Sequence, residues 1–315
     1  MELYLVTGGA GFIGSHLAQR LAKEGHRVRV LDNFSTGHRA TVSRLAEVFG
    51  DRIEVLEGDI RDPGCCRAAA EGCRAVFHQA ALPSVPRSVT DPLTSHEVNA
   101  TGTLNLLIAA RDAGVGRFIL AGSSSVYGDA PRLPKVEDMP PQTRSPYALG
   151  KLAGEEYARL FHELYGLSTV TLRYFNVFGP RQDPNSPYAA VIPLFIRALR
   201  EGRPPTVFGD GTQSRDFTFI DNVVEANMAA VRARDANGPI NVACGEQTTL
   251  LALLERLYGI IGRRIEPIFE PPRAGDVLHS RADITRARDL LQYRPAVDLE
   301  EGLRRTAAAL EDSGP

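Results

Sequence analysis

Short apolar runs alternate with helical patterns along the first 180 residues of the chain. The apolar runs predict strands at Leu3–Thr7, Arg27–Leu31, Ile53–Leu56, Ala75–His78, Phe118–Ala121 and Thr169–Arg173. Between them, apolar residues at spacings of three and four predict helices, of which the clearest are Phe12–Lys23, Pro92–Ala113 and Pro146–Tyr165. Such alternation is typical of a parallel sheet with helices on both faces. The pattern therefore predicts an α/β fold with a Rossmann-type, doubly wound parallel sheet.

The pattern is more broken beyond residue 180. It predicts helices at Pro193–Glu201 and Asp221–Arg234, with a glycine-rich turn at Gly209–Gly211 and a stretch rich in proline and arginine at Pro267–Arg273. We interpret residues 1–180 as the main nucleotide-binding domain. Residues 181–315 are interpreted as a smaller α/β substrate-binding lobe, partly interleaved with the first.

Composition excludes several classes of protein. The 315 residues are 43% hydrophobic and 23% charged with a formal charge of -2, which gives no indication of nucleic acid or an anionic membrane as partner. No apolar stretch approaches the roughly 18 residues of a membrane span, and the N-terminus has no signal-like region. Four cysteines lack metal-ligand spacing, and their small number suits a reducing compartment. We expect a cytoplasmic enzyme without a metal site.

A glycine-rich turn, residues 7–14, joins the first predicted strand to the first helix. Gly8, Gly11 and Gly14 follow the spacing Gly-x-x-Gly-x-x-Gly. At such a turn the first glycine permits a tight bend, the second lets a pyrophosphate approach the backbone, and the third permits close helix–strand packing. The helix N-terminus then faces the phosphates. The alternative is a strand-to-helix turn without a ligand.

Carboxylates follow the next two strands. Asp32 lies where an acid would bind the adenosine ribose hydroxyls and repel a 2′-phosphate, which favours NAD over NADP. The alternative role for Asp32 is a helix cap. Asp59 and Ile60 could lie beside the adenine, and the small residues Ala80 and Ala81 end the fourth strand where the backbone would pack against a cofactor.

Tyr147 and Lys151 are the candidate catalytic pair. Residues four apart share one face of a helix, so the phenol and the ammonium can point into one cleft. A neighbouring positive charge is expected to lower the tyrosine pKa, which suits a general base acting on an alcohol. Ser123, in a serine run after the fifth strand, could hydrogen-bond the same alcohol, although such a run is usually only a loop.

Taken together, these motifs resemble the extended short-chain dehydrogenase/reductase family, and within it the nucleotide-sugar 4-epimerases of the UDP-glucose/UDP-galactose type. The resemblance covers essentially the whole chain. It extends to three further segments, which are residues 173–182 (RYFNVFGPRQ), 209–217 (GDGTQSRDF) and 273–276 (RAGD).

The resemblance implies a redox-neutral inversion of a sugar 4-hydroxyl by Tyr147, Ser123 and Lys151 with tightly bound NAD. It also implies a homodimer formed through the helices Pro92–Ala113 and Pro146–Tyr165. Further implied cofactor contacts are Phe12, Ile13, Asn33 and Asn99. The implied UDP-sugar contacts are Ser84, Ser123, Ser124, Tyr147, Asn176, Ala190, Val191, Val207, Arg215, Arg273, Asp276 and Ser280, with the two arginines on the diphosphate and Asp276 on the uridine ribose.

Three compact residues suggest a wide sugar pocket. Ser280 stands where strict glucose/galactose epimerases tend to carry tyrosine, while Ala190 and Pro83 stand where relatives carry asparagine and lysine. We expect the cleft to accept a 2-acetamido group unless a neighbouring side chain refills the space.

Three other functions remain open from the sequence. The first is a 4,6-dehydratase. Relatives with that activity carry an Asp-Glu pair where this chain has Ser124 and Ser125, which cannot supply a carboxyl acid/base pair. A UDP-glucuronate decarboxylase or epimerase is a second alternative, although no cationic feature clearly marks a carboxylate pocket. A catalytically inactive, NAD-sensing binding protein is the third, and the intact Tyr147 and Lys151 argue against it.

Overall fold

A seven-stranded parallel sheet forms the centre of the protein, as a computed structural model describes it for residues 1–183, 190–272 and 277–311. Its strands are β1 (Leu3–Thr7), β2 (Arg27–Asp32), β3 (Ile53–Glu57), β4 (Ala75–His78), β5 (Phe118–Ser123), β6 (Thr169–Tyr174) and β11 (Gly238–Val242). The order across the sheet is β11-β6-β5-β4-β1-β2-β3, and all neighbours are parallel. The predicted Rossmann-type sheet is confirmed.

Helices cover both faces of this sheet. In chain order they are α1 (Phe12–Lys23), α2 (Arg39–Phe49), α3 (Pro63–Ala70), α4 (Val85–Thr90), α5 (Pro92–His96), α6 (Gly102–Asp112), α7 (Pro146–Tyr165), α8 (Val191–Arg200), α9 (Ile220–Arg232), α10 (Leu250–Ile261), α11 (Thr285–Leu291) and α12 (Leu299–Glu311). A π-helical turn, Glu97–Thr101, joins α5 to α6, so the predicted helix Pro92–Ala113 is widened in the middle.

The second half of the chain contributes to both parts of the molecule. Its strand β11 pairs with β6 at the edge of the main sheet, and α9 packs against α1. Three two-stranded sheets complete the architecture. They pair β7 (Val177–Phe178) with β10 (Thr218–Phe219), β8 (Thr206–Phe208) with β13 (Ile268–Glu270), and β9 (Ser214–Arg215) with β12 (Thr248–Thr249).

Each face of the sheet has its own apolar core because successive strand residues point to opposite faces. Val6 and Phe77 belong to the larger cluster, which continues into α8, α9 and α10. Their neighbours Leu5 and Val76 belong to the second cluster, under α3 and α6. Parallel strands end at one edge of the sheet, so this packing brings the segments after β1, β4 and β5 together there.

Candidate functional site

The glycine loop between β1 and α1 is built for an anionic ligand. Gly8 has a φ of +66°, and a Cβ there would lie 2.7 Å from the backbone nitrogen of Ala80. A Cβ on Gly14 would lie 2.2 Å from the carbonyl oxygen of Gly8. The N-cap of α1, Gly11, has no side-chain hydrogen bond, and the first turn holds no acidic residue. Its N–H groups can therefore bind a phosphate, as a dinucleotide pyrophosphate requires.

Asp32 holds this loop against the end of β2. Its carboxylate accepts hydrogen bonds from the backbone N–H of Ala10 at 2.9 Å and of Phe34 at 2.8 Å. The alternative role as a helix cap is wrong, because His38 precedes the first residue of α2. Each carboxylate oxygen retains a second lone pair for a ribose hydroxyl.

Asn33 and Asp59 meet at the same edge of the sheet. The Asn33 amide donates to Asp59 at 2.8 Å, and Arg61 forms an ion pair with the same carboxylate at 2.8 Å. The Arg61 side chain, helped by its backbone N–H and by Asn33, lowers the pKa of Asp59 to about 2 against burial. Asp59 is therefore ionised at neutral pH, and the buried Ile60 follows it under Gly102.

A buried chain of hydrogen bonds joins the ends of β1 and β4 to α6. Thr7 Oγ1 lies 2.7 Å from His78 Nδ1 and accepts from the backbone N–H of Ala80. Nε2 of His78 lies 2.9 Å from Thr103 Oγ1, which donates to the carbonyl of Asn99. Burial lowers the pKa of His78 to about 3, so the ring is neutral at pH 7. Because the Thr103 hydroxyl already donates to Asn99, the proton of the neutral ring is assigned to Nε2.

Asn99 lies in the π-helical turn and supports the loop after β4. Its buried side chain accepts from the N–H of Leu82 at 3.0 Å and donates to the Leu82 carbonyl at 3.3 Å. In the structure Asn99 thus positions the backbone beyond Ala80 and Ala81, both of which are half-buried. Irregular helical turns of this kind frequently occur at functional sites.

The helix α7 carries Tyr147 and Lys151. Ser145 caps it by accepting from the N–H of Ala148 at 3.1 Å, and Pro146 occupies the first helical position. The Lys151 ammonium is buried and donates to the carbonyl of Ala121 at 3.0 Å, two residues before Ser123 on β5. Burial lowers the pKa of Lys151 to about 8.

Ser123 lies beside Tyr147 and acts to lower the pKa of its phenol. Burial outweighs it, so the pKa of Tyr147 is raised. The expectation that Lys151 lowers this pKa is wrong for the protein alone, because burial of the phenol sets the direction of the shift and Lys151 does not offset it. Ser124 starts the short 3₁₀ turn Ser124–Tyr127, and Ser125 lies 2.8 Å from Ser123 between hydroxyl oxygens.

Three of the implied substrate residues lie on segments that are joined by hydrogen bonds. They are Asn176, Arg215 and Ser280. Asn176 has a left-handed φ of +31° and donates to the carbonyl of Asp216 at 3.4 Å. Arg215 donates to the carbonyls of Ser214 and Leu278. Ser280 is buried, and its N–H bonds the Ser214 carbonyl at 3.0 Å. A non-glycine residue in the left-handed region is uncommon, although asparagine adopts it more readily than most residues.

The other implied substrate residues have different settings. Ser84 is buried and caps α4 through its hydroxyl, and Val207 is wholly buried in β8. Ala190 and Pro83 are exposed, whereas Val191 is half-buried at the start of α8. Arg273 and Asp276 lie outside the described residues.

A buried ion pair that the sequence did not indicate supports the helix α7. Arg173 on β6 pairs with Glu155 on α7, one turn beyond Lys151, and both side chains are almost fully buried. Arg173 also donates to the Tyr127 hydroxyl at 2.8 Å, in the turn that follows Ser123. The sequence signal for this ion pair is the charged Arg173 near the end of an otherwise uncharged strand.

Comparison with known proteins identifies the family. The model of the NAD dependent epimerase/dehydratase family matches residues 4–243. The chain belongs to this family. The resemblance inferred from the motifs is confirmed at this level, and NAD is the cofactor. The assignment of the glycine loop and Asp32 to NAD binding stays a prediction.

Relatives of the family differ in the sugar that their names give. The chain is 44% identical over 304 residues, and over 96% of both chains, to a UDP-glucose 4-epimerase of Mycolicibacterium smegmatis. It is 39% identical, with a TM-score of 0.93 over 99% of both chains, to a UDP-N-acetylglucosamine 4-epimerase of Methanobrevibacter ruminantium in complex with UDP-N-acetylmuramic acid. A UDP-glucuronic acid 4-epimerase of Bacillus cereus, solved with UDP-glucuronic acid and NAD, is 33% identical, with a TM-score of 0.90 over 99% of this chain and 100% of that one.

Neither a metal-binding cluster nor a membrane-spanning helix is found among the described residues. Within residues 1–183, 190–272 and 277–311, no group of three or more His, Cys, Asp or Glu side chains could hold a metal ion. In the same ranges, no helix combines the length and the hydropathy that a bilayer crossing demands.

Proposed function

We propose that the protein inverts the 4-hydroxyl of a UDP-hexose by transient oxidation with bound NAD. The observation that carries this proposal is the placement of Tyr147 next to Ser123, on the helix that also carries the buried Lys151, at the sheet edge where the glycine loop begins. A phenol, a hydroxyl and an ammonium in this arrangement suit proton exchange with an alcohol.

Bound NAD supplies a reversible hydride acceptor for this chemistry. Tyr147 takes the proton of the sugar 4-hydroxyl and later returns it, while Ser123 hydrogen-bonds the same oxygen. Ionising a buried phenol is unfavourable, so the proton transfer depends on the positive charges that Lys151 and the cofactor place in the site. Arg215, together with Arg273 and Asp276, would hold the UDP group while the sugar turns.

The test is to incubate the purified protein with UDP-glucose and UDP-N-acetylglucosamine separately and to resolve the products. We expect UDP-galactose from the first, without added NAD, because the cofactor is regenerated in each cycle. A protein that retains NAD but forms neither 4-epimer would contradict the proposal and favour the binding-protein alternative. Formation of a 4-keto-6-deoxy sugar would favour the dehydratase.

The proposed sugar range includes the N-acetylated pair. A serine at position 280 is compact and buried, which supports a pocket with room for a 2-acetamido group. UDP-glucuronate is the second candidate, since a relative is solved with it. The dehydratase is disfavoured because Ser124 and Ser125 offer no carboxyl group to expel the 6-hydroxyl.

We further propose a homodimer formed through α5, α6 and α7. Leu93 on α5 and Leu149 and Leu164 on α7 are large apolar side chains that are more than half exposed. Contiguous exposed apolar surface is typical of a protein interface. Sedimentation should show a dimer that Leu164→Glu weakens, whereas Leu290→Glu, at an exposed position on α11, should leave the mass unchanged.

The location proposed for this dimer is the cytoplasm. Cys65, Cys66, Cys73 and Cys244 are all free thiols, which suits a reducing compartment.

A further inference from the structure

The carboxylate of Asp216 is held by backbone N–H groups and not by a basic side chain among the described residues. It is fully buried between Arg215 and Phe217. Oδ1 accepts from the N–H of Cys244 at 3.0 Å, and Oδ2 accepts from the N–H of Gly245 at 3.0 Å and of Ala282 at 3.1 Å. A buried carboxylate with three backbone donors fixes those donors relative to one another, because each unmade bond would leave a buried polar group unsatisfied.

The segments that meet at Asp216 carry the residues expected to bind the substrate. Arg215 precedes it, and Ser280 lies two residues before Ala282. The carbonyl of Asp216 also accepts from the side chain of Asn176 at 3.4 Å. We propose that Asp216 is a positioning residue, which sets the distances among Arg215, Ser280 and Asn176 and thereby shapes the site for the UDP-sugar. The proposal rests on the substrate roles assigned under the proposed function.

Asp216 cannot itself contact a ligand because its side chain is sealed from solvent. Its effect is therefore transmitted by the backbone. Two backbone hydrogen bonds join the segment around Ser214 to the segment around Ser280. Ser214 N–H donates to the Leu278 carbonyl at 2.9 Å, and Ser280 N–H donates to the Ser214 carbonyl at 3.0 Å. Loss of the Ala282 anchor would release the end of this ladder next to Ser280.

Asp216→Asn is the informative variant because it keeps the volume and removes one acceptor. The amide oxygen can replace one carboxylate oxygen, but the NH₂ group would then face a backbone N–H donor. The chain also offers a matched control in Asn222, on α9. Its buried side chain accepts from the N–H of Ala296 at 2.9 Å and of Val297 at 3.0 Å, in a segment without an expected substrate residue. Asn222→Asp makes the reverse change there.

The experiment compares the parent protein, Asp216→Asn and Asn222→Asp, each isolated with its NAD. Calorimetry gives the Kd of UDP, steady-state assays give kcat and KM for UDP-glucose, and the NAD content and Tm are measured on the same samples. For Asp216→Asn we expect a Kd and a KM raised about tenfold or more, as a lost hydrogen bond to a charged group produces. The NAD content should be unchanged, and kcat should fall by less than about threefold. An interaction that is lost equally from the bound substrate and from the transition state raises KM and leaves kcat nearly unchanged.

Asn222→Asp separates this effect from a general loss of stability. It should lower Tm at least as much as Asp216→Asn and leave the Kd of UDP within about twofold. Its backbone donors, Ala296 and Val297, lie outside the expected substrate segments, and its link to the Asp216 cluster is a 3.9 Å contact with the Cys244 sulfur. The proposal is overturned if Asp216→Asn binds UDP as the parent does, if it loses NAD and UDP together, or if the control loses UDP equally. A parent protein that holds NAD and fails to bind UDP would instead overturn the proposed function.

Discussion

Tyr147 shows how far one residue's chemistry depends on its surroundings. From the sequence, the lysine one turn away was expected to lower the pKa of the phenol. In the folded protein, burial raises it, and the Lys151 ammonium, itself shifted to a pKa of about 8 by burial, donates to the carbonyl of Ala121. The phenol is thus protonated at neutral pH in the protein alone, and under the proposed function the pair would act as a base once a ligand changes the charge balance of the cleft.

Tyr147→Phe tests the base directly. The variant should fold, retain NAD and lose epimerisation by about 100- to 10,000-fold, the usual contribution of a general acid–base group. Tyr157→Phe is the control, since it removes the same atom from a more exposed position of α7. Turnover of UDP-glucose by chromatography measures both, and activity within about threefold of the parent in Tyr147→Phe would refute the assignment.

Ser280→Tyr tests the width of the sugar pocket. The two sugar pairs share the UDP anchor and the 4-hydroxyl, and they differ at the 2-position. Overpacking a filled site costs about 1–3 kcal/mol, or about 5- to 150-fold in rate if it acts only on the transition state. We expect that loss for UDP-N-acetylglucosamine and near-parental rates for UDP-glucose. Equal losses for both would mean that Ser280 does not line the pocket.

At the scale of elements, the glycine loop and α1 form one rigid unit. Gly14 lies in the first turn of α1, where a Cβ would approach the backbone of Gly8 more closely than any real contact allows. Gly14→Ala should therefore push α1 away from β1, lower the free energy of unfolding by about 1–3 kcal/mol and weaken NAD binding. Chemical unfolding and NAD titration measure the two effects.

Gly259→Ala provides the control for the Gly14 variant. Gly259 also lies in a helix, α10, but nothing lies within 4 Å of a Cβ placed there. The same substitution should therefore stabilise the protein by up to about 1 kcal/mol, because alanine has the higher helix propensity. If both variants behaved alike, the close contact at Gly14 would not be what constrains α1.

Elements with a strong local pattern were predictable from the sequence, and elements defined by distant contacts were not. The helix Pro146–Tyr165 has its predicted bounds, since Ser145, Pro146 and the glycine after Tyr165 are local end signals. The strand β11 was missed. It begins with Gly238 and Pro239, which disfavour strands, and its partner β6 lies more than sixty residues earlier in the chain.

The same distinction applies to the site. Sequence spacing indicated Gly8, Asp32, Tyr147 and Lys151, because each chemical group stands at a recognisable end of a strand or helix. The partners that hold these groups came only with the fold. Arg173 reaches Glu155 across the sheet–helix interface, and Asp216 reaches Cys244 and Ala282 from different segments, so no local pattern reports them.

At the scale of the whole molecule, the buried histidine His78 couples stability to pH. It lies between Thr7 and Thr103, where β1, β4 and α6 meet, and its folded pKa of about 3 is far below the unfolded value of about 6.5. As the pH falls below about 6.5, His78 is protonated in the unfolded chain but stays neutral in the folded protein. Stability is therefore lost with falling pH across the window from about 6.5 to 3.

His16 acts in the same direction, with a pKa lowered to about 4 by burial and by Arg181, so a variant must isolate the His78 contribution. His78→Gln cannot titrate, so the stability difference between parent and variant should shrink by about 2 kcal/mol from pH 7 to pH 5. Urea unfolding at the two pH values gives this difference. His96→Gln, at an exposed position, controls for the loss of an imidazole elsewhere. A parent–variant difference independent of pH would show that His78 takes up its proton as readily in the folded protein as in the unfolded chain, and the pKa lowered by burial would then be wrong.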